Sequence, residues 1–225
     1  MNLRPTPATS GILLAISLLL GSAVFAGCEE SAAGFSSGME ETGESRRDAL
    51  PDSPKAFGEL GEFELTDQDG RTVTREDLKG APFALAFIFT TCTGPCPIIS
   101  GKMVQLQDEL EGTEIQLVSL SVDPEYDTPE VLKAYAENVG ADTSRWRFLT
   151  GDEEVIDTLI VKSMYLSVGR QVPSEDFPIG IHVSHSSKLV VFDRDTKLRG
   201  YYSGVTDEGI QAALARLKFL ESEDS

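Results

Sequence analysis

The sequence predicts one α/β domain: a sandwich in which helices flank a mixed central sheet, with a β-hairpin at its start. Three patterns carry that expectation. A continuous apolar run from Phe83 to Phe89 has the length of a strand buried on both faces. Strands and amphipathic helices alternate after it. Two strands joined by a short polar turn, then a last helix, close the chain.

Taken in order, Phe63-Glu64-Leu65 and Arg71-Thr72-Val73 flank Asp67-Gln68-Asp69-Gly70, the signature of a hairpin. After the buried run, Ile98, Ile99, Met103, Leu106 and Leu110 recur at helical spacing. Residues Ile115 to Val122 read as a strand, and Pro129 to Val139 as a helix with proline at its first position. Trp146 to Leu149 reads as a strand and Glu153 to Met164 as a helix. Leu189 to Phe192 and Leu198 to Tyr202 are strands across the Asp193-Arg194-Asp195-Thr196 turn. Thr206 or Asp207 can cap a final helix whose apolar face is Ile210, Ala213, Leu214 and Leu217. A cysteine pair after a buried strand and at the start of a helix gives this order a thioredoxin-like layout.

Composition narrows the function. The 225 residues are 40% hydrophobic and 25% charged, a globular balance. Acidic residues number 37 against 19 basic, a net charge of −18. That surplus argues against nucleic-acid binding, which needs cations to neutralise phosphates, and against a basic patch on anionic lipid. Residues 1–27 read as an export signal: Arg4 as the only charge, an apolar stretch from Ile12 to Leu20 broken by Ser17, then small residues. Val24-Phe25-Ala26-Gly27-Cys28 is similar to a bacterial lipoprotein signal, which makes Cys28 the lipidation residue; an uncleaved anchor or an ordinary signal is the alternative. Residues 28–56, rich in Glu, Ser and Gly, read as an acidic flexible tether, because they offer too little apolar surface to offset ordering entropy. Residues 57–225 form the folded domain in this reading, held outside the cytoplasm at a membrane.

With Cys28 assigned to lipid, Cys92 and Cys96 remain, in Phe89-Thr90-Thr91-Cys92-Thr93-Gly94-Pro95-Cys96-Pro97. One close pair in an exported chain is a working site rather than a disulfide staple. Cys96 falls where the helix begins, and amide groups with the helix dipole there favour a thiolate. Gly94 and Pro95 can turn the loop so that both sulfurs face one point. Such a pair can close a disulfide or hold a soft metal, and its spacing does not choose between them. His182 and His185 lie just before the strand that starts at Lys188. In a thioredoxin-like sheet that entry faces the cysteine loop, which makes His185 a candidate third ligand of an S2N metal site; such a set suits copper, and zinc would accept it but prefers a fourth ligand, while His182 is one alternation step away.

Three segments resemble the Sco/SenC family of membrane-tethered copper proteins that serve cytochrome c oxidase assembly. They are Phe89 to Cys92 with Cys96-Pro97, then Ser121-Val122-Asp123-Pro124-Glu125-Tyr126-Asp127-Thr128-Pro129, then Val183-Ser184-His185-Ser186. The resemblance spans about residues 57–220. It implies a thioredoxin fold and copper, as Cu(I) or Cu(II), on Cys92, Cys96 and His185. It also implies a role in delivering copper to the binuclear centre of oxidase subunit II, or in reducing that acceptor's thiols. An extracytoplasmic thiol reductant or copper donor is the implied second partner. Thr93, Gly94 and Ser184 stand where the family often has Pro, Asp and Asp.

The competing reading is a thiol–disulfide oxidoreductase in which Cys92 attacks, Cys96 resolves and His185 is not needed. A peroxide-reducing relative fits the loop less well. Asp123 and Asp127 are read as structural, Asp123 ending a strand and Asp127 or Thr128 capping the next helix. Met103 is read as core, and Trp146 as core or strand-edge packing.

Overall fold

The computed structural model describes residues 56–171, 182–184 and 186–223. The predicted signal, Cys28 and nearly all of the predicted tether lie outside the described residues.

The alternating apolar pattern builds a seven-stranded sheet. A hairpin comes first, β1 (Glu64–Asp67) and β2 (Thr72–Thr74). The central strands are β3 (Phe83–Ile88), β4 (Gln116–Ser121) and β5 (Trp146–Thr150). A short strand β6 (Gly169–Gln171) pairs with β7 (His182–Ser184) in a separate ladder, where His182 lies opposite Gln171. The chain ends with β8 (Lys188–Phe192) and β9 (Leu198–Ser203). The main sheet runs β2-β1-β5-β4-β3-β8-β9. Strands β3, β4 and β5 are parallel, and β1, β8 and β9 join antiparallel. Among the described residues the α-helices are α1 (Cys96–Glu109), α2 (Pro129–Val139), α3 (Glu153–Thr158) and α4 (Asp207–Ser222). The mixed sheet flanked by helices is the thioredoxin-like arrangement that the sequence predicts.

Strand β3 shows why both faces are covered. All six of its residues are buried. Phe83, Leu85 and Phe87 point into one apolar cluster, with Leu65 and Val73 of the hairpin and Ile156 of α3. Ala84, Ala86 and Ile88 point into the other, against Ile99, Met103 and Leu106 of α1 and Leu214 and Leu217 of α4. Large side chains fill the first face, while the two alanines let the helices approach the second. Met103 and Trp146 are core as expected, and the Trp146 indole N–H donates to Ser119 Oγ at 3.0 Å.

The predicted helix over Glu153–Met164 differs in detail. It is α-helical only to Thr158 and continues as a π-turn, Leu159–Ser163. The Met164 N–H reaches back five residues, to the Leu159 carbonyl at 3.0 Å. The wider turn lets Leu159, Ile160 and Met164 all reach the same cluster.

The sheet end that carries the cysteine loop is held tight by a close approach at the start of α4. Thr206 caps that helix through the Gly209 N–H, as predicted. A Cβ on Gly209 would lie 2.2 Å from the Ser203 carbonyl oxygen, at the end of β9. Alanine is the better helix former, so propensity alone favours Gly209→Ala. The clash reverses that sign: the substitution is expected to cost about 2 kcal/mol, or roughly 5 °C in the midpoint of thermal unfolding. A calorimetric midpoint at or above the wild-type value would contradict this packing.

Candidate metal and redox centre

The site is built where β3 leaves the sheet. The sequence Phe89 to Pro95 cannot continue as strand, because Gly94 and Pro95 turn it. Its amides are therefore satisfied one by one. The Phe89 N–H bonds to the Cys96 sulfur. The Thr90 N–H donates to the Asp127 carboxylate, at 3.3 and 3.2 Å from its two oxygens. The Cys92 N–H donates to the Phe89 carbonyl at 3.1 Å. The Gly94 N–H lies 3.4 Å from the Cys92 sulfur. This folds the loop over the first turn of α1 and brings the two sulfurs together. Both cysteines are free thiols, Cys92 half-exposed and Cys96 buried, with a hydrogen bond between their side chains.

Cys96 opens α1, where the sequence places it, with Pro97 in the first turn. The expectation that helix-terminal amides lower its pKa is not met. Burial is the largest cause that pushes the thiol up, to about 12, and the Cys92 side chain adds to it. The Phe89 amide opposes this, and the Asp127 charge reinforces it. At 1% exposure, desolvation of an anion outweighs one or two favourable amide dipoles.

Of the two residues expected to cap α2, the structure uses Thr128 and gives Asp127 another structural role. Thr128 caps α2, its hydroxyl accepting from the Val131 N–H at 3.4 Å. Asp127 is fully buried and turns under the cysteine loop. Its carboxylate accepts the Thr90 hydroxyl at 2.5 Å and the Ser121 hydroxyl at 2.6 Å. Asp123 follows the strand end as predicted, and its N–H donates to Ser121 Oγ at 3.1 Å. A second polar contact ties α1 to α2: Ser100 Oγ and Tyr135 Oη are 2.7 Å apart. Burial raises the Tyr135 pKa, and the charges of Cys96, Cys92 and Asp127 add to the shift. Neither link was legible in the sequence, because each joins residues 35 or more positions apart.

His185 lies outside the described residues, and among the described residues no three His, Cys, Asp or Glu side chains gather as a metal cluster. The chain just beyond it is placed. Strand β8 runs antiparallel to β3, with Phe192 opposite Phe83 and Val190 opposite Leu85. Its start therefore lies at the sheet end where β3 releases the cysteine loop. A Cβ on Gly204 would lie 2.8 Å from the Ser187 carbonyl and 3.6 Å from Ile99 Cγ1. The entry to β8 thus passes beside the first turn of α1. Soft thiols at this meeting point suit Cu(I), and an imidazole from the β8 entry would complete an S2N set.

The unequal exposure of the sulfurs has a direct consequence. In the reduced protein at neutral pH, iodoacetamide is expected to alkylate Cys92 well before Cys96, as read by peptide mass mapping over time. Equal rates, or Cys96 first, would contradict the placement.

Comparison with known proteins now bears on this arrangement. Residues 52–218 match the family model SCO1/SenC. A SCO1/SenC family lipoprotein from Bacillus anthracis superposes with a TM-score of 0.66 at 31% identity, covering 75% of this chain and 99% of that one. BsSco, described with a disulfide switch and as a member of the Sco family of cytochrome c oxidase assembly proteins, gives 0.61 at 30% identity, covering 75% and 96%. Bradyrhizobium japonicum ScoI with copper bound gives 0.57 at 30% identity, covering 73% and 99%. With its fold, its cysteine loop and the match over most of its length, this chain belongs to the SCO1/SenC family.

Proposed function

We propose that the protein is a membrane-tethered, extracytoplasmic copper carrier that delivers copper to the binuclear centre of cytochrome c oxidase subunit II. The observation that carries this reading is the contact between two free thiols, one buried and one half-exposed, beside the entry to β8. Copper bound in the Bradyrhizobium japonicum relative supports the metal. The oxidase-assembly description of BsSco supports the destination. Lipidation of Cys28 and the tether over residues 28–56 are part of the proposal, supported by the lipoprotein from Bacillus anthracis. Among the described residues no helix is long and apolar enough to cross a membrane; the proposed attachment rests on the signal-like sequence up to Cys28.

In this reading Cys96 is the buried anchor, Cys92 the exchangeable ligand at the surface and His185 the third ligand. Bound copper supplies a soft cation that can move between thiolate and imidazole ligands. The half-exposed Cys92 is the sulfur that an acceptor's own ligand can reach first. The tether lets the domain reach an acceptor in the same membrane.

A second reading rests on the same asymmetry. An accessible Cys92 backed by a protonated Cys96 is also the arrangement of a dithiol reductant, and the disulfide switch of BsSco favours it. The two uses compete for the same sulfurs.

Anaerobic Cu(I) titration of the reduced full-length protein against a competing chelator separates them. One-to-one binding is expected, weakened about tenfold or more in His185→Ala and abolished in Cys92→Ser. Binding that ignores His185 would remove the third ligand. Absence of binding would leave the dithiol reading.

The affinity is also expected to rise with pH. Cys96 holds its proton up to about pH 12 when free and must release it when it ligates. Its share alone is about a tenfold gain in apparent affinity per pH unit between roughly pH 6 and 9. A flat profile over that range would contradict a protonated Cys96 in the free site.

A further inference from the structure

We propose that Thr90 and Asp127 form a positioning pair that holds the two sulfurs at bonding separation. The inference rests on the reading that Cys92 and Cys96 are the working groups, and it asks what fixes their geometry. Cys92 stands on a loop exposed from Thr93 to Pro95, whereas Cys96 is fixed by burial in α1. The free variable is therefore the path of the chain from Ile88 to Cys92.

One side group grips that path at its middle. Asp127 receives both the N–H and the hydroxyl of Thr90. Thr90 lies between Phe89, whose N–H bonds to the Cys96 sulfur and whose carbonyl accepts from Cys92, and Cys92 itself. A shift at Thr90 therefore moves both contacts that relate one sulfur to the other. Asp127 is itself clamped from two further directions. Its carboxylate accepts from Ser121 at the end of β4, and its N–H donates to the Asp123 carbonyl at 2.9 Å. The brace thus ties the exits of two adjacent parallel strands into one rigid corner.

A carboxylate with no exposed surface, whose donors among the described residues are neutral, is costly to bury. An apolar residue would fill the same space without that cost. Its return is the fixed geometry of a loop that Gly94 and Pro95 leave otherwise free. Outer partners of this kind typically change metal affinity by about 10–100-fold when removed.

The test uses the full-length protein with both cysteines intact, and the variants Thr90→Val, Thr90→Ser and Asp127→Asn. The first readout needs no metal. In a glutathione buffer, Cys92 and Cys96 give up two protons and two electrons to oxidised glutathione. Its S–S bond breaks as the Cys92–Cys96 bond forms, and two reduced glutathione molecules leave. Thr90→Val is expected to lower the equilibrium constant for ring closure about tenfold, a rise of about 30 mV in the potential of the pair. Thr90→Ser, which keeps the hydroxyl, is expected to restore it. Asp127→Asn is expected to follow Thr90→Val. If that buried substitution prevents folding, as read by circular dichroism, the two Thr90 variants decide.

The second readout is Cu(I) affinity, expected to fall about tenfold in Thr90→Val and to recover in Thr90→Ser. A Thr90→Val protein whose ring-closure constant stays within about twofold of wild type would overturn the proposal. So would a Thr90→Ser protein that behaves like Thr90→Val. A wild-type protein that binds no Cu(I) would sink the copper reading but leave the ring-closure result to decide this one.

Discussion

The corner where β3 meets the start of α1 is the constraint on which the site depends. Parallel pairing of β3 with β4 and antiparallel pairing with β8 brings three strand ends to one end of the sheet. The first gives the cysteine loop, the second the turn that holds Asp127, and the third the entry to β8. Open α/β sheets commonly bind ligands beyond the carboxyl ends of their parallel strands, and this pair of cysteines sits in that position.

Burial at this corner is distributed unevenly, and the chemistry follows from that. Cys96 is packed under the loop, so its anion is disfavoured until a cation or an oxidising partner removes the proton. Cys92 remains open to solvent and to partners. A single surface sulfur over a buried one suits stepwise transfer, whether of a metal ion by ligand exchange or of electrons through a mixed disulfide. In the proposed function the same packing would let one site serve either use, each excluding the other at any moment.

Most of the fold was legible because its signals are local. Pro129 to Val139 forms the predicted helix, and Thr206 caps the last one. The Asp67-Gln68-Asp69-Gly70 turn joins β1 to β2, and strand ends shift only by a residue or two. The π-turn after α3 was missed because it is imposed by packing rather than by composition. At the site, the pairing of Cys92 with Cys96 followed from spacing and from the glycine and proline between them. The raised pKa of Cys96 did not, since its largest cause is burial, which the tertiary packing decides rather than the helix it begins. Asp127 or Thr128 is legible as the cap because capping needs only near neighbours, and Thr128 takes that role; the link from Asp127 to Thr90, on the exit of a different strand, is not legible in that way.

The central claim is that two sulfurs from the β3–α1 corner and one imidazole from the β8 entry meet on a single metal ion. X-ray absorption of the Cu(I)-loaded full-length protein tests it most directly. The account predicts two sulfur scatterers and one nitrogen in the inner shell, with the outer scattering of an imidazole ring that disappears in His185→Ala. A shell without sulfur, or imidazole scattering that survives that substitution, would contradict it.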